Sequence, residues 1–278
     1  MHGCVVEKSW LTPTLVRIVL AGGDLDRFAA VAATDAYVNL AFAPPGAPYD
    51  AVFEPGRIRD EQPRAWWPAR RRYTVRAWDP ETQHLTIDFV VHGDVGVAGA
   101  WAGRAETGSV LVLEGPAGGY RPDAEADWLL LVGDESALPA IAASLEQVGA
   151  QGHAVVRLLC DGPAHEVALA SPGSLDLAWS HRRGDEHDET LLADAVADLD
   201  FPPGRVQAFV HGEATEIRAV RRHLLLERGL TRQDMSCSPY WRRDMTDEAW
   251  RAVKRDFVAA MDAEDSESSG PRDGVART

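Results

Sequence analysis

The pattern of apolar and polar positions changes once along the chain. Up to about residue 115, short runs rich in Val, Ile, Leu, Phe and Thr recur at 4–10, 14–21, 36–42, 72–78, 84–91 and 109–114, and several alternate. Clusters of Gly, Pro and Asp separate them, as at Gly22-Gly23-Asp24 and Asp79-Pro80. A period of two sends one side of a strand to a core, and this many short strands at even spacing predict an antiparallel β-barrel. The stretch 43–70 breaks the rhythm, and a connection of that length is expected to be functional or disordered.

Beyond about residue 123 the pattern is different. A solid apolar strand at 128–132 meets a turn at Gly133-Asp134-Glu135-Ser136 and a helix at 137–148. Further strands are expected at 154–160, 175–180 and 206–211, and helices at 190–198, 213–228 and 247–260. Strands alternating with helices predict a parallel sheet covered on both faces. The chain therefore divides into a barrel domain over 1–123 and an α/β domain over 124–261. The last stretch, 262–278, is Ser, Asp, Glu and Gly with almost nothing apolar, and reads as a disordered tail.

Composition narrows the function classes. A formal net charge of -15 speaks against nucleic acid as a partner, since phosphate affinity needs a basic surface. No apolar run of about 18 residues predicts membrane insertion, and the N-terminus lacks a basic region leading into an apolar stretch. Lys8 and Lys254 are the only lysines, so the cations are almost all arginines, which fork onto carboxylates and phosphates. Cys4, Cys160 and Cys237 are far apart, odd in number and form no C-x-x-C, which predicts no disulfide framework and no metal site, and suits the reducing cytoplasm.

Five segments carry candidate chemistry. In Arg71-Arg72-Tyr73-Thr74, alternation puts Arg71 and Tyr73 on one side of a strand. A guanidinium there can hold a phosphate while a phenol ring lies on an aromatic cofactor and the Thr74 hydroxyl reaches a ring nitrogen. An exposed strand with a core tyrosine gives the same pattern. From His92 through Gly99, Ala100 and Trp101, a strand runs into a Gly-rich turn and a short helix, suited to a second pyrophosphate contact or to plain capping. Gly133, Asp134, Glu135 and Ser136 lie at the first crossover of the parallel sheet, where ligands gather, although G-x-G-x-x-G is absent. Ser180, Arg182 and Arg183 close a later strand and suit the 2′-phosphate of NADPH, while Asp161 would favour the free ribose of NADH; the arginines outnumber the acid, which favours NADPH. His181, His187 and Asp188 match no metal-ligand spacing. The fifth segment joins His211-Gly212-Glu213 to an arginine-bearing helix and ends at Trp241, Arg242 and Arg243, which are candidates for binding a substrate, although a solvated helix face gives the same pattern.

These pieces, in this order, resemble the siderophore-interacting proteins, flavin-dependent ferric-siderophore reductases of the ferredoxin-reductase-like superfamily. The resemblance runs from about residue 5 to 243 and is most specific over 71–76, 88–101, 133–141 and 212–228. It implies an antiparallel flavin-binding β-barrel followed by a Rossmann-like parallel α/β nucleotide domain. It implies FAD on Arg71, Tyr73 and Thr74, then along Asp88, Val90, His92 and the turn Gly99-Ala100-Trp101. Gly133, Asp134, Glu135, Ser136, Gly212 and Glu213 fall on the nicotinamide side. The family usually has Thr where this chain has Ser136, and Gly where it has Pro239 and often Asp244. The expected reaction takes a hydride from NADPH or NADH and passes electrons through FAD to a ferric siderophore. Two alternatives stand beside it: a general NAD(P)H-dependent flavin or electron-carrier reductase, and a siderophore-binding protein without redox activity.

Overall fold

The computed structural model describes residues 1–93 and 96–268, without the side chains of 186, 187 and 265–268. The first six strands are β1 (His2–Thr12), β2 (Leu15–Ala21), β3 (Tyr37–Phe42), β4 (Ala69–Asp79), β5 (His84–Val90) and β6 (Val110–Ala117). They close into a barrel in the order β1-β2-β5-β4-β3-β6, with antiparallel pairing throughout. The alternation in the sequence does the work expected of it. Val16, Ile18 and Leu20 of β2 face Leu85, Ile87 and Phe89 of β5 inside the barrel, all fully buried. Each such side chain contributes roughly 1.5–3 kcal/mol by leaving water. The expected long connection holds a helix, α1 (Pro55–Glu61). Helix α2 (Ala98–Arg104) packs Ala98 and Ala102 into the barrel core. Gly99 permits this, because a Cβ there would stand 2.7 Å from the Val90 carbonyl oxygen.

The second sheet is parallel, in the order β11-β10-β7-β8-β9. Its strands are β7 (Trp128–Asp134), β8 (His153–Cys160), β9 (Ser174–His181), β10 (Val206–Glu213) and β11 (Met235–Trp241). Every residue of the central strand β7 is buried, as a sheet covered on both faces requires. Leu129 and Leu131 meet helix α3 (Leu138–Leu145), while Trp128, Leu130 and Val132 meet α4 (Leu191–Ala197) and α5 (Ala214–Leu226). Strand β11 has no counterpart in the sequence reading. Its two serines and Pro239 hide it, and it is tolerated because it is an edge strand hydrogen-bonded only to β10.

The two sheets are joined by contacts around the cavity between them. Tyr120 packs on Phe209 with ring centroids 4.8 Å apart, and the buried Ser144 hydroxyl donates to Thr34 Oγ1 at 2.8 Å. The last helix, α6 (Asp247–Ser268), spans both domains. Its Asp247 and Glu248 pair with Arg71 of β4, and its Trp250 and Met261 are buried. This corrects the expected tail: the helix runs past 260 and through the first part of 262–278. Asp262 and Glu264 dock on α5, accepting from Arg221 at 2.7 Å and from Arg218 Nε at 3.0 Å. Scarce apolar residues suggested disorder because the partners, arginines some forty positions earlier, are invisible locally. Residues 269–278 lie outside the described residues.

Candidate cofactor and substrate site

A cavity of about 1240 Å³ opens between the barrel and the carboxyl ends of the parallel strands. That exceeds the roughly 300–1,000 Å³ typical of a pocket for one small ligand. Strand β4 forms much of the barrel side, contributing Arg70, Arg71, Arg72, Tyr73 and Thr74. Tyr73 leans on Phe89, centroids 4.5 Å apart and planes tilted by 34°, and burial pushes its phenol up. Thr74 is buried and sits beside the phenol of Tyr240 on β11, so the two sheets meet at this point. Arg71 Nη1 is 2.7 Å from Glu248 and 3.3 Å from Asp247. Asp88, Val90, His92 and Gly99 continue the wall. Arg17 grips both oxygens of the buried Asp88, at 2.7 and 2.8 Å. Ala100 and Trp101 do not line the cavity: Trp101 packs against Phe42 and Phe89 inside the barrel, because α2 turns that face inward. Asp94 and Val95 of the same turn lie outside the described residues.

On the sheet side, Glu135, Ser136, Arg182, Trp241 and Arg243 line the cavity; Gly133, Asp134, Ser180, Arg183, Gly212, Glu213 and Arg242 do not. Several of these hold the strand ends together instead. Asp134, fully buried, accepts from Ser136 N and Oγ (2.8 and 2.5 Å), Glu213 N (2.8 Å) and Trp241 Nε1 (2.7 Å). One carboxylate thus ties β7, β10 and β11. Gly212, at φ +150°, leaves room for it, since a Cβ would come within 2.9 Å of Asp134 Oδ2. A Cβ on Gly133 would collide with the His211 carbonyl oxygen. Glu213 caps α5, accepting from Thr215 N and Glu216 N, and receives Arg243 N at 3.0 Å. Arg242 stacks over Phe257 of α6, 5.3 Å from the ring centroid.

Arg182 sits in a nest of carboxylates. Its Nη1 donates to both Glu135 oxygens (2.7 and 2.9 Å) and to Asp161 (3.1 Å), and its Nε is 3.8 Å from Glu216. Burial opposes its charge, but the Glu135 carboxylate more than compensates and raises its pKa. Glu216 is wholly buried. Desolvation and the nearby Asp134 push its carboxyl up to about 8, even with Arg243 Nη2 at 3.0 Å. His211, stacked on Phe209 at 3.7 Å, is driven down to about 3 by burial and by Lys254. The side chain of His187 lies outside the described residues.

Reading the sequence missed a third wall. Helix α6 adds Trp250, Arg251, Lys254 and Arg255 to the cavity, and α1 adds Arg59. Strand β11 adds Ser236, Ser238 and Tyr240, whose period-two spacing turns all three to one side. The signal for the cations was available only in outline: an acidic chain that keeps arginines beside its one exposed-strand motif.

The residues present fit an adenine dinucleotide carrying an aromatic ring system. An aromatic side chain, arginines for a pyrophosphate and a large cavity converge there, and Arg70 Nε is buried with no hydrogen-bond partner. Comparison with known proteins agrees. Residues 4–120 match the siderophore-interacting FAD-binding domain, and 126–244 match the siderophore-interacting protein model. Ferric vibriobactin reductase ViuB of Vibrio cholerae is 34% identical over 252 residues, covering 88% of this chain and 90% of that one. An NADPH-dependent ferric-chelate reductase of Escherichia coli is 30% identical, covering 81% and 86%. The crystal structure of a siderophore utilization protein from T. fusca superposes with a TM-score of 0.75 at 33% identity, covering 89% and 94%. With its barrel matched to the FAD-binding domain and its parallel sheet to the siderophore-interacting model, the chain belongs to the siderophore-interacting protein family.

Proposed function

We propose that this chain is an FAD-dependent reductase that takes a hydride from NAD(P)H and delivers electrons to iron(III) held in a siderophore. The observation that carries it is the sign of the cavity. In a chain of net charge -15, Arg59, Arg70, Arg72, Arg251, Lys254 and Arg255 all line one space. Such a concentration of cations suits phosphate groups and an anionic iron chelate together. The relatives from Vibrio cholerae and Escherichia coli, named as ferric reductases, support the same reading.

Bound FAD supplies the conversion from a two-electron hydride to the single electrons that iron accepts. The chain's own part is binding, orientation and exclusion of water. Tyr73 offers a ring face and Thr74 a hydroxyl at the meeting point of the two sheets. Arg71 is the phosphate fork, and its carboxylate partners on α6 hold it extended along the cavity wall. Trp241, fixed through its indole N–H by Asp134, forms the aromatic wall on the nicotinamide side. The cations of β4 and α6 receive the ferric chelate at the opposite mouth. None of the three cysteines forms a disulfide and two are only partly buried, which suits a reducing compartment, and we place the reaction in the cytoplasm.

Anaerobic titration of the flavin spectrum tests this. NADH or NADPH should bleach the yellow protein, and a ferric siderophore should restore the colour with release of Fe(II). Bleaching without reoxidation by ferric chelates would make it a general flavin reductase. A flavin that neither nucleotide reduces would leave a binding protein.

A further inference from the structure

The carboxyl ends of the parallel strands carry information about which nicotinamide nucleotide fits. Asp161 directly follows β8, the neighbour of the first strand β7, and its side chain is 43% exposed and lines the cavity. In dinucleotide-binding sheets an acid near this position accepts the adenosine ribose hydroxyls, whereas a 2′-phosphate calls for an arginine. The arginine at hand is Arg182, and it is committed. Its Nη1 is shared among both Glu135 oxygens and Asp161, while its Nε and Nη2 are shielded from solvent and have no hydrogen-bond partner. With Nη1 occupied and the Nε–Nη2 edge shut off from solvent, the guanidinium would have to move to fork onto a phosphate. Ser180 and Arg183, the other two residues expected to meet that phosphate, do not line the cavity.

Charge points the same way. At this end of the cavity Glu135 and Asp161 face a single arginine, so a doubly charged phosphate would enter a site already negative. Recruiting Arg182 to the phosphate would strand the carboxylate of Glu135, which is only 9% exposed. We infer that this chain selects NADH over NADPH, with Asp161 reading the ribose and Glu135 holding Arg182 away from a 2′-phosphate. The inference rests on the nicotinamide reading proposed above. It also separates this chain from the Escherichia coli relative, whose name carries NADPH.

The test uses the FAD-loaded protein in two ways. Calorimetric titration compares 5′-ADP with 2′,5′-ADP, and anaerobic stopped-flow compares NADH with NADPH as flavin reductants. The wild type should bind 5′-ADP, and be reduced by NADH, about tenfold or more in preference, the worth of one charge-assisted contact. Asp161→Asn should shrink both ratios by about tenfold, chiefly by weakening the NADH side. Glu135→Gln should release Arg182 and strengthen 2′,5′-ADP binding; should that variant misfold, the wild-type ratios and Asp161→Asn still decide. Equal or tighter binding of 2′,5′-ADP in the wild type, or ratios unmoved by Asp161→Asn, overturns the inference. Flavin that dithionite reduces but neither nucleotide does overturns the nicotinamide reading itself, and this selectivity with it.

Discussion

The barrel side and the sheet side of the cavity both present arginines, but they use them differently. On the barrel side Arg71 and Arg72 lie along the cavity wall, Arg72 over the ring of Tyr37 at 5.1 Å and Arg71 against acids of α6 rather than its own domain. On the sheet side Arg182 and Arg243 are bound into a chain of carboxylates, Asp161, Glu135, Glu216 and Asp188, that spans β8, α5 and the turn before α4. The lesson concerns what a change would break. On the proposed reading, barrel-side residues act through what they show to a ligand, whereas sheet-side residues such as Asp134 and Glu213 hold strand ends in place.

The sharpest way to break that comparison is Asp134→Ala. It leaves the N–H groups of Ser136, Glu213 and Trp241 without their buried acceptor, and should cost roughly 3–5 kcal/mol in urea unfolding. A loss below about 1 kcal/mol would show that the strand ends hold without it. Next is Arg71→Ala, which should weaken FAD binding by roughly 1.5–3 kcal/mol, about ten- to a hundredfold, in a fluorescence titration. The urea midpoint of its apoprotein should barely move; a large shift would make Arg71 a structural residue like those across the cavity.

The pH dependence sharpens the contrast further. Because His211 titrates near 3 when folded, against an ordinary value of 6.5, the unfolded chain binds the extra proton across that window. Stability should therefore be fully present above pH 6.5 and fall as the pH drops toward 3, by on the order of 1 kcal/mol per unit. His211→Gln should flatten that slope in unfolding curves at pH 4.5 and 6.5. The smallest effect is expected from ending the chain after Met261. This removes the part-buried pair of Asp262 with Arg221 and the exposed pair of Glu264 with Arg218, together worth about 1–2 kcal/mol, so the melting temperature should drop by a few degrees and flavin content should stay.

How legible each part was follows from whether its cause is local. The barrel strands show in the sequence because alternation is a nearest-neighbour property of each strand, and β7 shows because a fully covered strand is apolar throughout. Strand β11 does not, because being an edge is a property of the sheet, and only there are Ser236, Ser238 and Pro239 compatible with a strand. Arg71, Tyr73 and Thr74 stand out because they form a motif within one strand, and all three line the cavity. Arg59 of α1 and Arg251, Lys254 and Arg255 of α6 lie nearly two hundred residues apart, and no pattern links them. Gly133, Asp134, Gly212 and Glu213 stood out as cofactor residues because they end strands at the right level. In the structure they do not line the cavity, and their carboxylates and missing Cβ atoms serve the packing of three strands.

The position of α6 in the chain has a consequence in time. Both sheets precede it, and domains fold as they emerge during synthesis. A nascent chain that has reached Trp241 has the segments for the barrel, the parallel strands and the Asp134 ties, yet lacks Arg251, Lys254 and Arg255 and the acids that meet Arg71. The cavity's third wall thus emerges only after both sheets. A ribosome halted, or a protease cutting, between Trp241 and Asp247 yields a body with Arg71, Tyr73 and Thr74 in place and its pocket open on one side.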